Sequence, residues 1–270
     1  SIATAKPDSE EMQGIKHYML DFVEPYENFS VSDYVKLAHE AIKEIASKGK
    51  IAVVAGGTGL YIDSLLKNVE FTQVKTDFAL RDKLMKRYEK EGIEPLFDEL
   101  KAIDAQTASQ LHEKDVKRII RALEIYHTSG ITMTEQKKNS MLNESPYNVC
   151  WLGLNAENRD FLYDRINRRV DIMLENGLVE EARSFFESDI SSTAKQAIGY
   201  KELFPFLNGE ATLEECVDKL KMETRRYAKR QLTWFRKNEA MNWLYIDKFK
   251  SFDELLENAL EIIRKGGIVF

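Results

Sequence analysis

The chain contains only two cysteines, Cys150 and Cys216, and they show no paired spacing. That argues against a disulfide framework or a thiolate zinc site, and it fits a reducing, cytoplasmic setting. Its four histidines, His17, His39, His112 and His127, fall into no HxxH or HxxxH arrangement, so a histidine metal centre is not expected. No apolar run nears the roughly 18 residues of a membrane span, and the opening residues carry no signal-peptide pattern. Internal repeats and low-complexity linkers are absent. So is any phosphate loop of the form GxxxxGK[ST]. The first residue is Ser1 rather than Met, which points to a fragment or a processed chain.

What is present reads as an ordinary folded protein. With 43% apolar and 31% charged residues over 270 positions, the chain can bury one large core or a core plus a smaller second domain. The net charge of −6 would disfavour a polyanionic partner if it were evenly spread. It is not: the segment from Thr224 to Lys237 carries six cations and no acid. A local basic stripe decides more than the global sum.

Apolar runs at 51–55, 149–154 and 242–246 read as strands, the first of them covered on both faces as in a parallel sheet. Helical periodicity fills most of the rest: about 31–48, 59–67, a charged block over 76–112, 115–129 ended by Gly130, then 158–187, 195–207, 211–237 and a last helix from Phe252. Residues 136–146 read as a polar loop. The pattern predicts a predominantly helical α/β protein with a three-layer core and a parallel sheet. Its core domain is expected over 1–69 and 141–270, interrupted by a helical insertion over 70–140. Three strands are few for such a core, so further strands are expected upstream of Ser1.

The segment Gly56-Gly57-Thr58-Gly59-Leu60-Tyr61 follows the first strand and opens a helix. Its glycines permit close backbone approach, and the free N–H groups of the helix start suit an anion. A βα turn that binds nothing is equally compatible with the spacing. Three cationic constellations accompany it. Lys117, Arg118 and Arg121 share one helix face; Arg165 and Arg169 stand at i,i+4 and can close on a phosphate with forked donors; Arg226, Arg230, Thr233 and Lys237 line another helix. For each, a solvated face of surface ion pairs remains the alternative, with Asp115 and Glu124 facing the first and Asp160, Asp164 and Asp171 the second.

In order and spacing these pieces resemble the tRNA dimethylallyltransferases (tRNA isopentenyltransferases). The resemblance is carried by Ala3-Thr4-Ala5-Lys6-Pro7, the stretch HYMLDFVEPYENFSVSD from His17 to Asp33, and Gly56 to Tyr61. It continues with Lys117-Arg118-Ile119-Ile120-Arg121-Ala122-Leu123-Glu124, Ile198-Gly199-Tyr200-Lys201-Glu202 and Lys229-Arg230-Gln231-Leu232-Thr233-Trp234-Phe235, so it spans essentially the whole chain. It implies a P-loop NTPase-like fold of nucleotide-binding type. The implied reaction moves a dimethylallyl group from its diphosphate to N6 of the adenosine 3′ of the tRNA anticodon. The helical insertion would grip the anticodon stem-loop, and Mg2+ would accompany the diphosphate. A monomer without membrane attachment is expected.

Matched residue by residue, the resemblance assigns Thr58 to the channel where adenine meets the prenyl donor, and Arg165 and Arg169 to the diphosphate and target nucleotide. Thr58 and Arg169 are thus the implied catalytic residues. Contact with tRNA is implied for Arg81, Lys117, Arg118, Ile119, Ile120 and Arg121. The same holds for Gln196, Ala197, Ile198, Gly199, Tyr200 and Lys201, and for Arg226 and Arg230 of the basic stripe. No protein metal ligand is assigned. The family's phosphate loop and its general-base aspartate precede the TAKP motif and are not within these residues, so the chain as it stands is expected to be catalytically weak or inactive. Two other readings stay open: prenylation of free adenine nucleotides, and a non-catalytic tRNA-binding fragment.

Overall fold

The computed structural model describes residues 2–67, 77–140, 145–188, 191, 194 and 196–268. In chain order the elements are α1 (Val31–Ser47), α2 (Gly59–Leu66), α3 (Phe78–Glu91), α4 (Glu94–Ile103), α5 (Ala105–Ser109), α6 (Val116–Ser129) and α7 (Met133–Ser140). Then follow β1 (Trp151–Asn155), α8 (Arg159–Glu175), α9 (Leu178–Glu187), α10 (Phe204–Leu207), α11 (Leu213–Phe235), β2 (Met241–Tyr245), a single 3-10 turn Ile246–Lys248 and α12 (Phe252–Lys265). The chain divides into two compact units, one formed by Ser1–Asp63 with Asn148–Phe270 and the other by Ser64–Tyr147.

Local chemistry sets many of the helix starts. Ser30 and Asp33 form a reciprocal capping box on α1, and Thr212 and Glu215 do the same on α11. Asp77 caps α3 through Leu80 N, and Pro95 occupies the first turn of α4, where no N–H is needed. Gly177, left-handed at φ 94°, divides the helical stretch 158–187 into α8 and α9.

The first unit holds the sheet. Strands β1 and β2 pair in parallel, Gly153 opposite Trp243, with α8 to α11 forming the crossover that a parallel pair requires. Its core joins Val170, Leu178, Ala182, Tyr200, Leu203, Cys216 and Leu220. The second unit is wholly helical where described, closed around Leu84, Leu96, Leu100, Ile119, Ile120 and Leu123.

Three expectations need correction. Residues 51–55 pair with no strand among the described residues, and Val53 is 86% exposed, so this run is not a strand covered on both faces. Apolar content sets strand propensity, but a ladder needs a neighbour to satisfy its N–H and C=O groups. Residues 133–140 are helical, not loop. The overlooked signal is the Thr132–Glu135 box, in which Thr132 N and Oγ1 donate to Glu135 Oε2 and Glu135 N donates back to Thr132 Oγ1. Finally, 196–203 runs as turns, and only Phe204–Leu207 is helical there; Gly199 at φ +113° is incompatible with a helix.

Within the helical unit, Asp104 ties α5 to α7. Its Oδ1 accepts from Thr107 N and Thr134 Oγ1, and its Oδ2 accepts from Thr134 N, at 2.6–3.0 Å. Burial raises the carboxyl pKa, but these hydrogen bonds outweigh it and pull the group down to about 2. With the folded value below the unfolded one, this stabilisation is present above about pH 4 and is lost as pH falls through about 2. It amounts to about 2 kcal/mol. Denaturant melts of Asp104→Asn are therefore expected to trail the parent at pH 6, with the gap narrowing steadily towards pH 2. A gap independent of pH would contradict this account.

No helix among the described residues is long and apolar enough to cross a membrane.

Candidate nucleic-acid interface and transfer channel

The glycine–threonine turn sits against the end of α11. Gln231 Nε2 donates to the Gly57 carbonyl at 3.0 Å, and the indole of Trp234 covers Gly59 so closely that a Cβ there would lie 2.3 Å from Trp234 Cδ1. Thr58 is exposed between these two contacts, and its carbonyl starts α2 by accepting from Tyr61 N and Ile62 N. The Thr58 hydroxyl engages no partner among the described residues. The sequence reading gave Trp234 no such structural role and missed Gln231. Their signal was present: both project from α11 one turn apart, beside a turn too rich in glycine to pack by its own side chains.

On α11 the cations divide by contact. Arg225 points inward, donating to Asn167 Oδ1 on α8 at 2.6 Å and lying over the Tyr163 ring. Arg226 is exposed and pairs with Glu223 on its own helix at 2.7 Å. Arg230 stacks its guanidinium 5.7 Å from the Tyr227 ring centroid, with no carboxylate partner among the described residues. The aromatic face fixes that cation without neutralising it.

On α8 two of the three acids suspected of absorbing Arg165 and Arg169 are engaged elsewhere, and Asp160 pairs with neither arginine. Asp164 takes Arg168 at 2.6 Å, and Asp171 takes Lys221 of α11 at 2.6 Å. Arg165, over the Phe161 ring at 5.8 Å, and Arg169 are exposed with no carboxylate partner among the described residues. They are separated by one helical turn, as the i,i+4 spacing requires.

The helical unit shows the same sorting. Lys117 and Arg118 are exposed and pair with no acid among the described residues, because Asp115 faces the His112 N–H instead. Arg121 and Arg81 both turn to Glu124, which is 0% exposed. Ile119 and Ile120 are core residues at 0% and 2% exposure, so their side chains do not offer a contact surface.

Within the 196–201 segment several side chains are engaged in the fold. Tyr200 is 3% exposed, stacks on Phe185 at 4.5 Å and donates its hydroxyl to Glu181 Oε1 at 2.8 Å. The same carboxylate accepts the N–H groups of Ile2 and Ala3, so the segment around Thr4 meets the Ile198–Glu202 motif here. Burial raises the Glu181 pKa, and the three donors more than reverse that, holding it below the ordinary value. Gly199 N–H is held by buried Glu202, and Ala197 and Ile198 pack on the core. Gln196 and part of Lys201 reach the surface, while Lys195 lies outside the described residues.

Cations that pair with no acid among the described residues, on α6, α8 and α11, suit a phosphate-rich partner. The family model described as IPP transferase matches residues 1–238. The chain belongs to the IPP transferase family. Among its relatives, a tRNA dimethylallyltransferase of Caldanaerobacter subterraneus is 44% identical over 265 residues, covering 97% of this chain and 84% of the relative. The crystal structure of a tRNA isopentenylpyrophosphate transferase from Bacillus halodurans superposes with a TM-score of 0.68 at 39% identity, over 98% of this chain and 84% of that one. A eukaryotic dimethylallyltransferase described as acting on tRNA gives a TM-score of 0.80 at 26% identity, over 98% and 68% of the two chains. The fold is that of this family of P-loop-like α/β transferases: mostly helical, with a small parallel sheet.

Proposed function

We propose that the chain serves transfer of a dimethylallyl group from dimethylallyl diphosphate to N6 of the adenosine 3′ of a tRNA anticodon. The observation that carries this reading is the selective pairing of cations. Asp164 and Asp171 are committed to other cations, and Lys117 and Arg118 on one unit and Arg165, Arg169 and Arg230 on the other pair with no acid among the described residues, which leaves them open to phosphate. Open cations distributed over both units suit a long polyanion better than one free nucleotide, whose few phosphates they would exceed.

In this reading the helical unit takes the anticodon stem. Arg165 and Arg169 neutralise the departing diphosphate and hold the target nucleotide, and Thr58 lines the channel where base and donor meet. The bond from N6 to the allylic carbon forms as the carbon–oxygen bond breaks. The electron pair leaves with the diphosphate, and the N6 proton passes to a base that is not among the residues assigned here. Catalysis then rests on alignment and on charge neutralisation of the leaving group. Mg2+ on the diphosphate is part of the family expectation. Among the described residues there is no cluster of three or more His, Cys, Asp or Glu that could hold a metal, and no step is assigned to an ion.

The test is tRNA binding as a function of salt. Arg118→Ala is expected to weaken binding across tRNA sequences alike and to reduce the slope of log K against log salt by about 1. An unchanged slope and affinity would mark the cation as a solvated surface group and remove the support for this reading.

A further inference from the structure

We infer that Glu124 is a positioning residue for RNA engagement: its buried carboxylate fixes the guanidinium groups of Arg81 and Arg121 so that their outer edges meet backbone phosphates. The inference rests on the RNA reading above and deepens it. Glu124 lies in α6 at 0% exposure, and both of its oxygens are occupied. Oε2 accepts from Arg81 Nε at 3.0 Å and Nη2 at 2.7 Å; Oε1 accepts from the Asp77 N–H at 3.2 Å and stands 2.8 Å from Arg121 Nη1.

The two arginines come from different helices, Arg81 from α3 and Arg121 from α6. Each is anchored at one edge and remains partly exposed, 39% for the Arg81 side chain and 34% for that of Arg121. Arg121 Nη1 is itself buried and makes no hydrogen bond, so its approach to the carboxylate is ionic. A guanidinium has five donors in a rigid plane. Holding one edge leaves Nη1 of Arg81, and the donors of Arg121 that do not face Glu124, without the rotamer freedom of a surface arginine. Lys117 and Arg118 lie on the same helix as Arg121, within one turn of it.

A full carboxylate is a costly way to fill space in a helical core, since an apolar group of the same volume packs as well. What the charge supplies is orientation. Two cations from different helices share one buried anion here, so the geometry of the cluster is set from within.

The sign of one substitution separates positioning from bulk charge. Glu124→Gln keeps the shape and removes one negative charge, so electrostatics alone would make the folded protein bind RNA more tightly. Positioning requires the reverse. We expect Glu124→Gln, verified as folded by circular dichroism at the assay temperature, to bind a tRNA anticodon stem-loop roughly tenfold more weakly. Tighter or equal binding would overturn the inference.

If that variant does not fold, Arg81→Lys and Arg121→Lys carry the test. Each keeps its charge but loses the fork, and each is expected to weaken binding severalfold. Parental affinity in both would also overturn the inference. Arg118→Ala, whose side chain does not touch Glu124, reports on the RNA reading itself. Weakened binding there, with parental binding in the other variants, defeats the positioning role alone; parental binding in every variant defeats both.

Discussion

A methyl group at position 59 is expected to push the end of α11 off the glycine–threonine turn and lower turnover of the full-length protein on the order of a hundredfold. Gly59 opens α2, and its backbone needs no left-handed conformation, so alanine is locally acceptable. Helix propensity alone would favour alanine by about 1 kcal/mol. The obstacle is Trp234, whose Cδ1, Nε1 and Cγ atoms would all stand within 2.6 Å of the new Cβ. An indole cannot fold its edge away as a long aliphatic chain can, so the contact costs about 1–3 kcal/mol. Because the Trp234 ring is 40% exposed, it has room to swing outward, and the chain remains folded. The loss then falls on the position of Thr58, where a shift of about 1 Å suffices for a hundredfold effect on rate.

A double-mutant cycle isolates the cause. In a Trp234→Ala background the obstruction is gone, and Gly59→Ala should become neutral or stabilising, reversing its sign. An equal stability cost in both backgrounds would show that the glycine is required for some reason other than the indole. Gly57 offers a softer comparison. A Cβ there would fall 1.9 Å from Gln231 Nε2, but that atom ends a flexible side chain and can retreat, at the cost of its hydrogen bond to the Gly57 carbonyl.

This pair of contacts also shows how much of the molecule could be read from its sequence. Helices 31–48, 59–67, 115–129 and 211–237 were legible to within a few residues because the 3.6-residue period, helped by the capping boxes at Ser30 and Thr212 and by left-handed Gly130, lies within the segment itself. The run at 51–55 was misread because burial of a strand depends on neighbours that its own residues do not specify. The site divides along the same line. The spacing of Arg165 and Arg169, or of Lys117 and Arg121, is local and follows from the helix. Which cation is neutralised is decided across the structure: Lys221 reaches Asp171 from α11, and Arg81 reaches Glu124 from α3. Tyr200 belonged to a motif that resemblance placed on the RNA, yet its ring and hydroxyl serve the core and Glu181. A motif records that a residue is needed without saying whether it is needed for contact or for packing.

The contrast between Arg168 and Arg169 puts that distinction to work. The two are adjacent on α8, equally long and both exposed, and composition cannot tell them apart. Arg168 is committed to Asp164 at 2.6 Å, while Arg169 faces solvent without an acid among the described residues. A surface pair such as Arg168–Asp164 contributes about 0–1 kcal/mol, so Arg168→Ala should leave both stability and turnover near parental values. On the proposed reading, Arg169→Ala removes a donor to the charge that develops as the diphosphate departs, and its loss is expected to lower kcat by about 10²–10³. Arg169→Lys keeps the charge but not the two parallel donors, and it should fall between the two. Because the contact to the diphosphate strengthens as the carbon–oxygen bond breaks, whereas a hold on the target nucleotide is already made on binding, a dominant leaving-group role should appear in kcat more than in KM for tRNA. Equal, small losses in Arg168→Ala and Arg169→Ala would return this face of α8 to the solvent. A large loss at Arg169 alone would show that the pairing pattern of the free protein, and not the count of arginines, marks where the diphosphate lies.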